Sequence, residues 1–388
     1  MARATGPTMH LVDTTLLFSP TSGGVRRYLT AKHQWLGAHT PHRHSLLVPG
    51  VVTELLPGGV STIAGWRVPG TFNYRLPLSP RRWVRMLDAL GPDLIEVGDV
   101  FHPAWCAMRS ARRRGVPLLA FFHSNFPRLA GRRLGRAVEY GLDRYLRSVY
   151  ERFDLVLSPS RLMCDHLTGL GISRTALQPL GVDTEIFSPH RRTPGLRRTL
   201  GLADDTRLLV YAGRFSSEKN IEVLLGALRL LGDRYHLLMI GGEASGRPAA
   251  NITVQPYRRD SVELATAIAS CDALVHAGSS ETFGLVIIEA LACGIPVVGA
   301  NAGAVPEHVD ETVGMLAPPG DGAGMAAAIA ALYERDLPAL GRAARARALQ
   351  RYTWSQALQL LLGHYATVSG RTLATTPEGS ALELPLPR

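Results

Sequence analysis

The chain has almost no lysine: of its 42 lysine and arginine side chains only Lys32 and Lys219 carry an amine. Cysteine is scarce too. Cys106, Cys164, Cys271 and Cys293 stand far apart with no CxxC pair, which fits neither a disulfide framework nor a zinc site and leaves them as reduced, small apolar residues. No run of 18 or more residues escapes charged and polar interruption, so no stretch reads as membrane-spanning. The opening MARATGPTMH lacks a signal-like apolar core, and a cytoplasmic protein is the expectation. With 46% hydrophobic residues and 7% aromatics over 388 residues, the chain is of ordinary globular composition and long enough for two domains.

The net charge of +10 is unevenly spread: residues 1–190 hold 23 Lys/Arg against 13 Asp/Glu, and residues 191–388 hold 19 against 19. All the excess lies in the first half. An anionic partner suits it, such as nucleic acid, an anionic bilayer or a phosphorylated acceptor; so does the solvated surface of an arginine-rich chain. No zinc-finger or RNP signature accompanies the charge, so nucleic acid is not the expected partner.

Apolar strand-like runs alternate with helix-length segments: MHLVDTT (9–15), HSLLVPG (44–50), PDLIEV (92–97), PLLAFFH (117–123) and DLVLSPS (154–160). A second series follows at 207–214, 235–242, 251–257, 272–278 and 295–301. Two consecutive βα series predict an α/β chain of two Rossmann-like, doubly wound parallel-sheet domains facing a central cleft. The proline-bearing LGVDTEIFSPHRRTPG (180–195) marks the connection, with the boundary set at 1–187 and 188–351. Helices are expected at 323–333 and 338–350, a C-terminal helix at 352–370 crosses back to the first domain, and 371–388 form a mobile tail.

Ligands of parallel sheets bind outside the C-terminal ends of the strands, and four constellations fall there. In GRFSSEKN (213–220), Arg214 and Lys219 bracket a loop leading into a helix N-terminus, which reads as a diphosphate clamp or as a solvated loop. In TSGGVRRYL (21–29), Gly23 and Gly24 permit close backbone approach to a phosphate or sugar, or make a turn. His123 ends the strand in FFHSNFP (121–127) and is either a hydrogen-bonding partner for a sugar or structural. In ETFGLVIIEALACGIPVV (281–298), Glu281 precedes an apolar run and Glu289 is set inside it. A carboxylate taken out of water without a partner costs several kcal/mol, so Glu289 calls for a ligand or a pair, and two charge-assisted bonds from ribose hydroxyls are strong enough to offset burial. No Walker A motif, GxGxxG or DxD is present.

The set SGG (22–24), His123, GRFSSEK (213–219) and the E-x7-E of Glu281 and Glu289 followed by GIPVVGANAGAVPEHV (294–309) resembles the retaining glycosyltransferases of family 4, with the GT-B architecture. The resemblance covers roughly residues 9–368. It implies that Glu289 holds the ribose of a nucleotide-sugar and that Glu281 meets hydroxyls of the donor sugar, with Phe283, Gly284 and Leu285 shaping the adjacent loop. It implies further that Arg214 and Lys219 bind the diphosphate, that Gly23 and Gly24 approach it, that His123 contacts the transferred sugar, and that the base lies near Gly242 and Tyr257. The reaction implied is transfer of a hexose, mannose or glucose, from a GDP- or UDP-sugar to a lipid or saccharide of the cell envelope, by front-face attack, with no metal and no cofactor.

The chain departs from common family patterns in PDLIEVGDV (92–100). Glu96 and Asp99, with His102, are candidate acceptor contacts, or surface carboxylates flanking a strand. In FPRLAGRRLGRAVEYGLDRYLRSVYERF (126–153), Arg133, Arg136, Tyr140, Arg144 and Arg147 recur every three or four residues, predicting one helix whose basic and aromatic stripe rests on anionic headgroups at the inner membrane face, or is solvated. The span 128–152 carries that expectation. Competing readings are a GT-B sugar-nucleotide epimerase, a phosphorylase-like enzyme needing pyridoxal phosphate on a lysine, and a nucleic-acid-binding protein.

Overall fold

The computed structural model describes residues 8–19, 23–69, 74–243, 248–373 and 375. The chain divides into two compact units: one runs up to Pro179 and is rejoined by the segment from Trp354 onward, and the other is Leu180–Thr353. Residues 180–187 count with the second unit, because Val182 N–H donates to Tyr352 O at 2.7 Å and Arg345 donates to the carbonyls of Thr184 at 3.0 Å and Phe187 at 2.8 Å. The expected tail, apart from 371–373 and 375, lies outside the described residues.

The first unit is built on β1 (His10–Thr14), β2 (Arg43–Gly50), β3 (Val60–Ala64), a small hairpin of β4 (Trp66–Arg67) and β5 (Arg75–Leu76), then β6 (Leu94–Val97), β7 (Leu118–Phe121), β8 (Leu155–Ser158) and β9 (Thr175–Leu177). Seven of these form one sheet in the order β3-β2-β1-β6-β7-β8-β9, every pairing parallel. Strands such as β1 and β6 are buried along their whole length, which is why they read as continuous apolar runs rather than alternating ones. Trp83 is fully buried against Val12, Ile95 and Val97, and its indole donates to Thr14 Oγ1 at 2.9 Å.

The second unit follows with β10 (Arg207–Ala212), β11 (Tyr235–Ile240), β12 (Ile252–Gln255), β13 (Ala273–His276), β14 (Val297–Ala300) and β15 (Gly314–Ala317). They form a parallel sheet in the order β12-β11-β10-β13-β14-β15. In both units the strand order reverses beside the first strand, at β1/β6 and at β10/β13, and such a switch point is where doubly wound sheets take ligands.

All ten strand runs read from the sequence are strands. Of the unread ones, β4 and β5 form the two-residue hairpin, and β3, β9 and β15 each sit at a sheet edge, where pairing on one side only tolerates the short or polar sequences VSTIA, TAL and GMLA. The expected helices appear as Gly322–Tyr333, Leu337–Arg351 and Trp354–Ser369. The basic helix needs correction. It is two helices, Phe126–Leu134 and Arg136–Tyr150, broken at Gly135, whose φ of 95° glycine tolerates and other residues rarely adopt; Arg133 therefore stands apart from the stripe of Arg136, Tyr140, Arg144 and Arg147.

Candidate functional site

In the second unit the loop after β10 carries Arg214 and Lys219 and ends at Asn220, which holds a left-handed conformation (φ 50°) before the helix Ile221–Leu231. An asparagine accepts that conformation more readily than most residues. Its side-chain amide donates to Ala277 O at 3.0 Å and Ser279 Oγ at 3.1 Å, tying this loop to the one after β13. Tyr211, fully buried in β10, donates its hydroxyl to Arg214 O at 2.8 Å and so fixes the start of the loop.

Glu281 stands in the loop after β13, and its Oε1 accepts from the Lys219 ammonium and from His276 Nε2, the latter at 2.9 Å. Burial works against the charge, but the Lys219 ammonium, with His276, holds the carboxyl far below the usual carboxylate range. His276 was not singled out in the sequence, where it looks like an ordinary strand end; the following Gly278 is the one local signal. Lys219, one of the two cations expected on a diphosphate, is partnered by Glu281.

Gly284 (φ 96°) turns the chain into the helix Leu285–Ala292. Phe283 is buried, its ring edge-on to His308 at 4.6 Å, so it offers its backbone rather than its side chain, while Leu285 is half-buried. Glu289 lies one turn into the helix and is 3% exposed. Gly242 is half-buried under the ring of Phe215, which a Cβ there would meet at 2.5 Å. Tyr257, in the loop after β12, is 40% exposed.

In the first unit, His123 follows β7 with its ring stacked on Phe121 at 4.3 Å and tilted against Tyr28 at 5.4 Å. Burial pushes its pKa down to about 3, so the imidazole is neutral at pH 7 and suited to hydrogen bonding rather than to carrying charge. Gly23 precedes the helix Gly24–His39, and among the described residues beyond its chain neighbours no atom lies within 4 Å of where its Cβ would stand; Ser22 lies outside the described residues.

Of the acceptor candidates, Glu96 is not a surface carboxylate: it is 2% exposed, accepting from Tyr28 at 3.0 Å and Tyr365 at 2.6 Å, with Lys32 Nζ at 3.0 Å. The fully buried Lys32 also pairs with both oxygens of Asp13 at 2.8 Å. Burial pushes the Glu96 carboxyl up, whereas Lys32 holds Asp13 low against its own burial. Asp99, 6% exposed, accepts from Thr15 Oγ1 at 2.9 Å, Leu16 N–H at 2.6 Å and Phe101 N–H at 2.9 Å; it organises the loops after β1 and β6. His102 packs edge-on to Trp83 at 5.1 Å.

Among the described residues, no three His, Cys, Asp or Glu side chains form a metal-ligand group, and no helix is long and apolar enough to cross a membrane. On the helices 126–134 and 136–150, Leu134 is 68% and Tyr140 65% exposed beside exposed Arg132, Arg133, Arg136 and Arg144.

Two doubly wound parallel sheets, the second bearing two cations and two glutamates near its switch point, define the GT-B class of nucleotide-sugar glycosyltransferases. Sucrose-phosphate synthase from Thermosynechococcus elongatus shares this fold, with a TM-score of 0.77 at 20% identity over 93% of this chain and 99% of that one. Residues 22–186 match the model of Glycosyltransferase Family 4 and residues 206–335 that of Glycosyl transferases group 1. The chain belongs to this glycosyltransferase family and is a hexosyltransferase. It is 31% identical to a GDP-mannose-dependent alpha-(1-6)-phosphatidylinositol dimannoside mannosyltransferase of Mycobacterium tuberculosis over 95% of this chain and 98% of that protein. To a GDP-mannose-dependent alpha-mannosyltransferase of the same species it is 33% identical over 75% and 77%.

Proposed function

We propose that the chain transfers mannose from GDP-mannose, with retention and without a divalent metal, to a lipid-anchored or saccharide acceptor of the cell envelope. The two mannosyltransferase relatives favour this donor over a UDP-sugar. The observation that carries the reading is the convergence of Arg214, Lys219 and Glu281 on the loops at the β10/β13 switch point, with Glu289 one turn into the next helix.

Breaking the anomeric bond develops negative charge on the departing diphosphate oxygen, and fixed cations there lower the barrier. At an effective dielectric near 20, one charge at ~4 Å contributes about 4 kcal/mol, so Arg214 and Lys219 together do much of what a metal does elsewhere. Glu289 accepts from the ribose hydroxyls and Glu281 from the donor sugar. The backbone at Phe283–Leu285 adds the partial positive charge of a helix N-terminus. The base rests near Gly242 and Tyr257. His123, Gly23 and Gly24 keep the roles the family resemblance implies, toward the sugar and the diphosphate.

With no carboxylate assigned as nucleophile, retention follows from front-face attack. The acceptor oxygen bonds to the anomeric carbon as the bond to the diphosphate breaks, and the acceptor proton passes to the departing phosphate oxygen. The arginines of 128–147 with Leu134 and Tyr140 hold the enzyme on an anionic bilayer carrying the acceptor.

Thermal stabilisation by GDP, UDP and ADP, with and without EDTA, tests the donor side. GDP-selective stabilisation that ignores EDTA and disappears in Glu289→Ala supports the reading; indifference of the wild type to all three overturns it. An inverted product anomer or a trapped glycosyl-enzyme overturns the mechanism. Salt-insensitive activity, the same with and without anionic vesicles, overturns the membrane contact.

A further inference from the structure

Lys219 has two claims on it. In the structure its ammonium is paired with Glu281, whereas the proposed function gives it a diphosphate. A carboxylate that shares its only strong partner with an incoming ligand loses its fixed position at the moment it is needed, unless a second donor holds it. That donor is present: His276 Nε2 reaches the same Oε1 of Glu281 at 2.9 Å. Lys219 and His276 differ in how firmly they are held. The Lys219 side chain is 19% exposed and ends a long, rotatable stem, while His276 is the last residue of β13, its side chain 2% exposed. Its ring lies parallel to that of Tyr211, 8° apart in plane with centroids at 6.4 Å.

The chain around this hydrogen bond is shaped to admit it. A Cβ on Gly278 would stand 2.9 Å from His276 Nε2 and 3.3 Å from Glu281 Oε1, so any other residue at 278 would press on the bond. Asn220 fastens the same loop from the other side through Ala277 and Ser279. None of these contacts involves the cations themselves.

We propose that His276 is a positioning residue for Glu281: donating through Nε2, it keeps the carboxylate aimed at the donor sugar while the Lys219 ammonium turns to the diphosphate. The proposal rests on the reading of the second unit as the sugar-nucleotide site. It makes His276 matter for the transferred sugar and not for the nucleotide.

The test is a set of variants assayed for transfer from GDP-mannose and for binding of GDP, which lacks the sugar. His276→Ala and Gly278→Ala should lower kcat by about tenfold or more, the loss expected of one hydrogen bond to a charged group, while the Kd for GDP stays within about twofold. Glutamine sets its amide nitrogen near the place of Nε2 and asparagine near that of Nδ1, so His276→Gln should recover most of the rate and His276→Asn should not. Equal recovery by both, or wild-type kcat in His276→Ala, overturns the proposal. So does a loss of GDP affinity in proportion to the loss of rate, which is what general damage gives. If His276→Ala fails to fold, the Gln and Asn pair and Gly278→Ala carry the test. Glu281→Gln separates the two levels: full activity there sinks the assignment of Glu281 itself, whereas an inactive Glu281→Gln beside an unaffected His276→Ala sinks only this inference. Imidazole 15N shifts read the pairing without turnover. Nε2 of His276 should be protonated in the wild type and shifted in Glu281→Gln, and an unchanged spectrum overturns the pairing whatever sugar is moved.

Discussion

The two units repeat one plan and use it differently. Each is a parallel sheet with its strand order reversing beside the first strand, and near each reversal stands one of the chain's two lysines, paired with carboxylates. In the first unit the lysine is fully buried: Lys32 is 0% exposed, and Tyr365 of the helix Trp354–Ser369 bonds to both it and Glu96. In the second unit Lys219 and Glu281 keep 19% and 14% of their side chains exposed. A cation closed in by protein on every side holds elements together; one left partly open has capacity to spare for a ligand. The same pairing is closed to solvent in one unit and half-open in the other, where the proposed function gives it a part in the chemistry.

The largest effect that separates them should be on stability. Lys32→Met leaves Asp13 and Glu96 buried together without a cation, and breaking a buried pair from one side costs about 3–5 kcal/mol. All five tryptophans, Trp35, Trp66, Trp83, Trp105 and Trp354, belong to the first unit, so fluorescence during urea unfolding reads that unit alone. A midpoint unchanged in Lys32→Met would break the comparison. Lys219→Ala should do the reverse: its half-open pair contributes little to stability, while loss of one fixed charge from the leaving group lowers kcat by about a hundredfold. Steady-state kinetics beside a melting curve check both halves.

A smaller contrast is expected with pH. In the first unit burial pushes His10 and His33 down to about 4 and His123 to about 3, and lowers His42, His44, His102, His166 and His364. In the second unit burial lowers His236, and His308 to about 4. Unfolded histidine takes up a proton below about 6.5, while folded His10, His33 and His123 resist down to about 3–4; the unfolded state then binds more protons, and stability falls as pH drops through that window. Glu96 and Asp99, raised by burial, work in the opposite direction above the usual carboxylate range. The tryptophan signal should therefore lose its urea midpoint between pH 6.5 and 4 faster than a probe placed in the second unit. The smallest effect is at Tyr365→Phe, which removes one hydroxyl from the cluster and should cost about 1–3 kcal/mol in the first unit with the rate unchanged.

The central strands were legible because burial on both faces leaves an unbroken apolar run, and the motif residues because glutamate inside such a run is costly without a purpose. The edge strands β3, β9 and β15 were not, since a strand paired on one side needs no such run, though β12 at another edge was. The pairing of Glu96 was hidden for a related reason: a carboxylate near a strand end gives no local sign of Lys32 and Tyr28 on the helix Gly24–His39 or of Tyr365 on Trp354–Ser369, all distant in sequence. His276 and Asn220 were passed over because their value lies in contacts across loops, to Glu281 and to Ala277 and Ser279. The break at Gly135 lay within an arginine-rich periodic pattern that continues on both sides of it.

The scarcity of lysine has a practical side. An acylating reagent that attacks amines meets two side-chain targets in the whole chain, and Lys32 is wholly buried. Labelling at a side chain then becomes a report on Lys219 alone, against a surface of arginines that the reagent ignores, and on the proposed function protection by an added nucleotide would read occupancy of the second unit with no engineered probe.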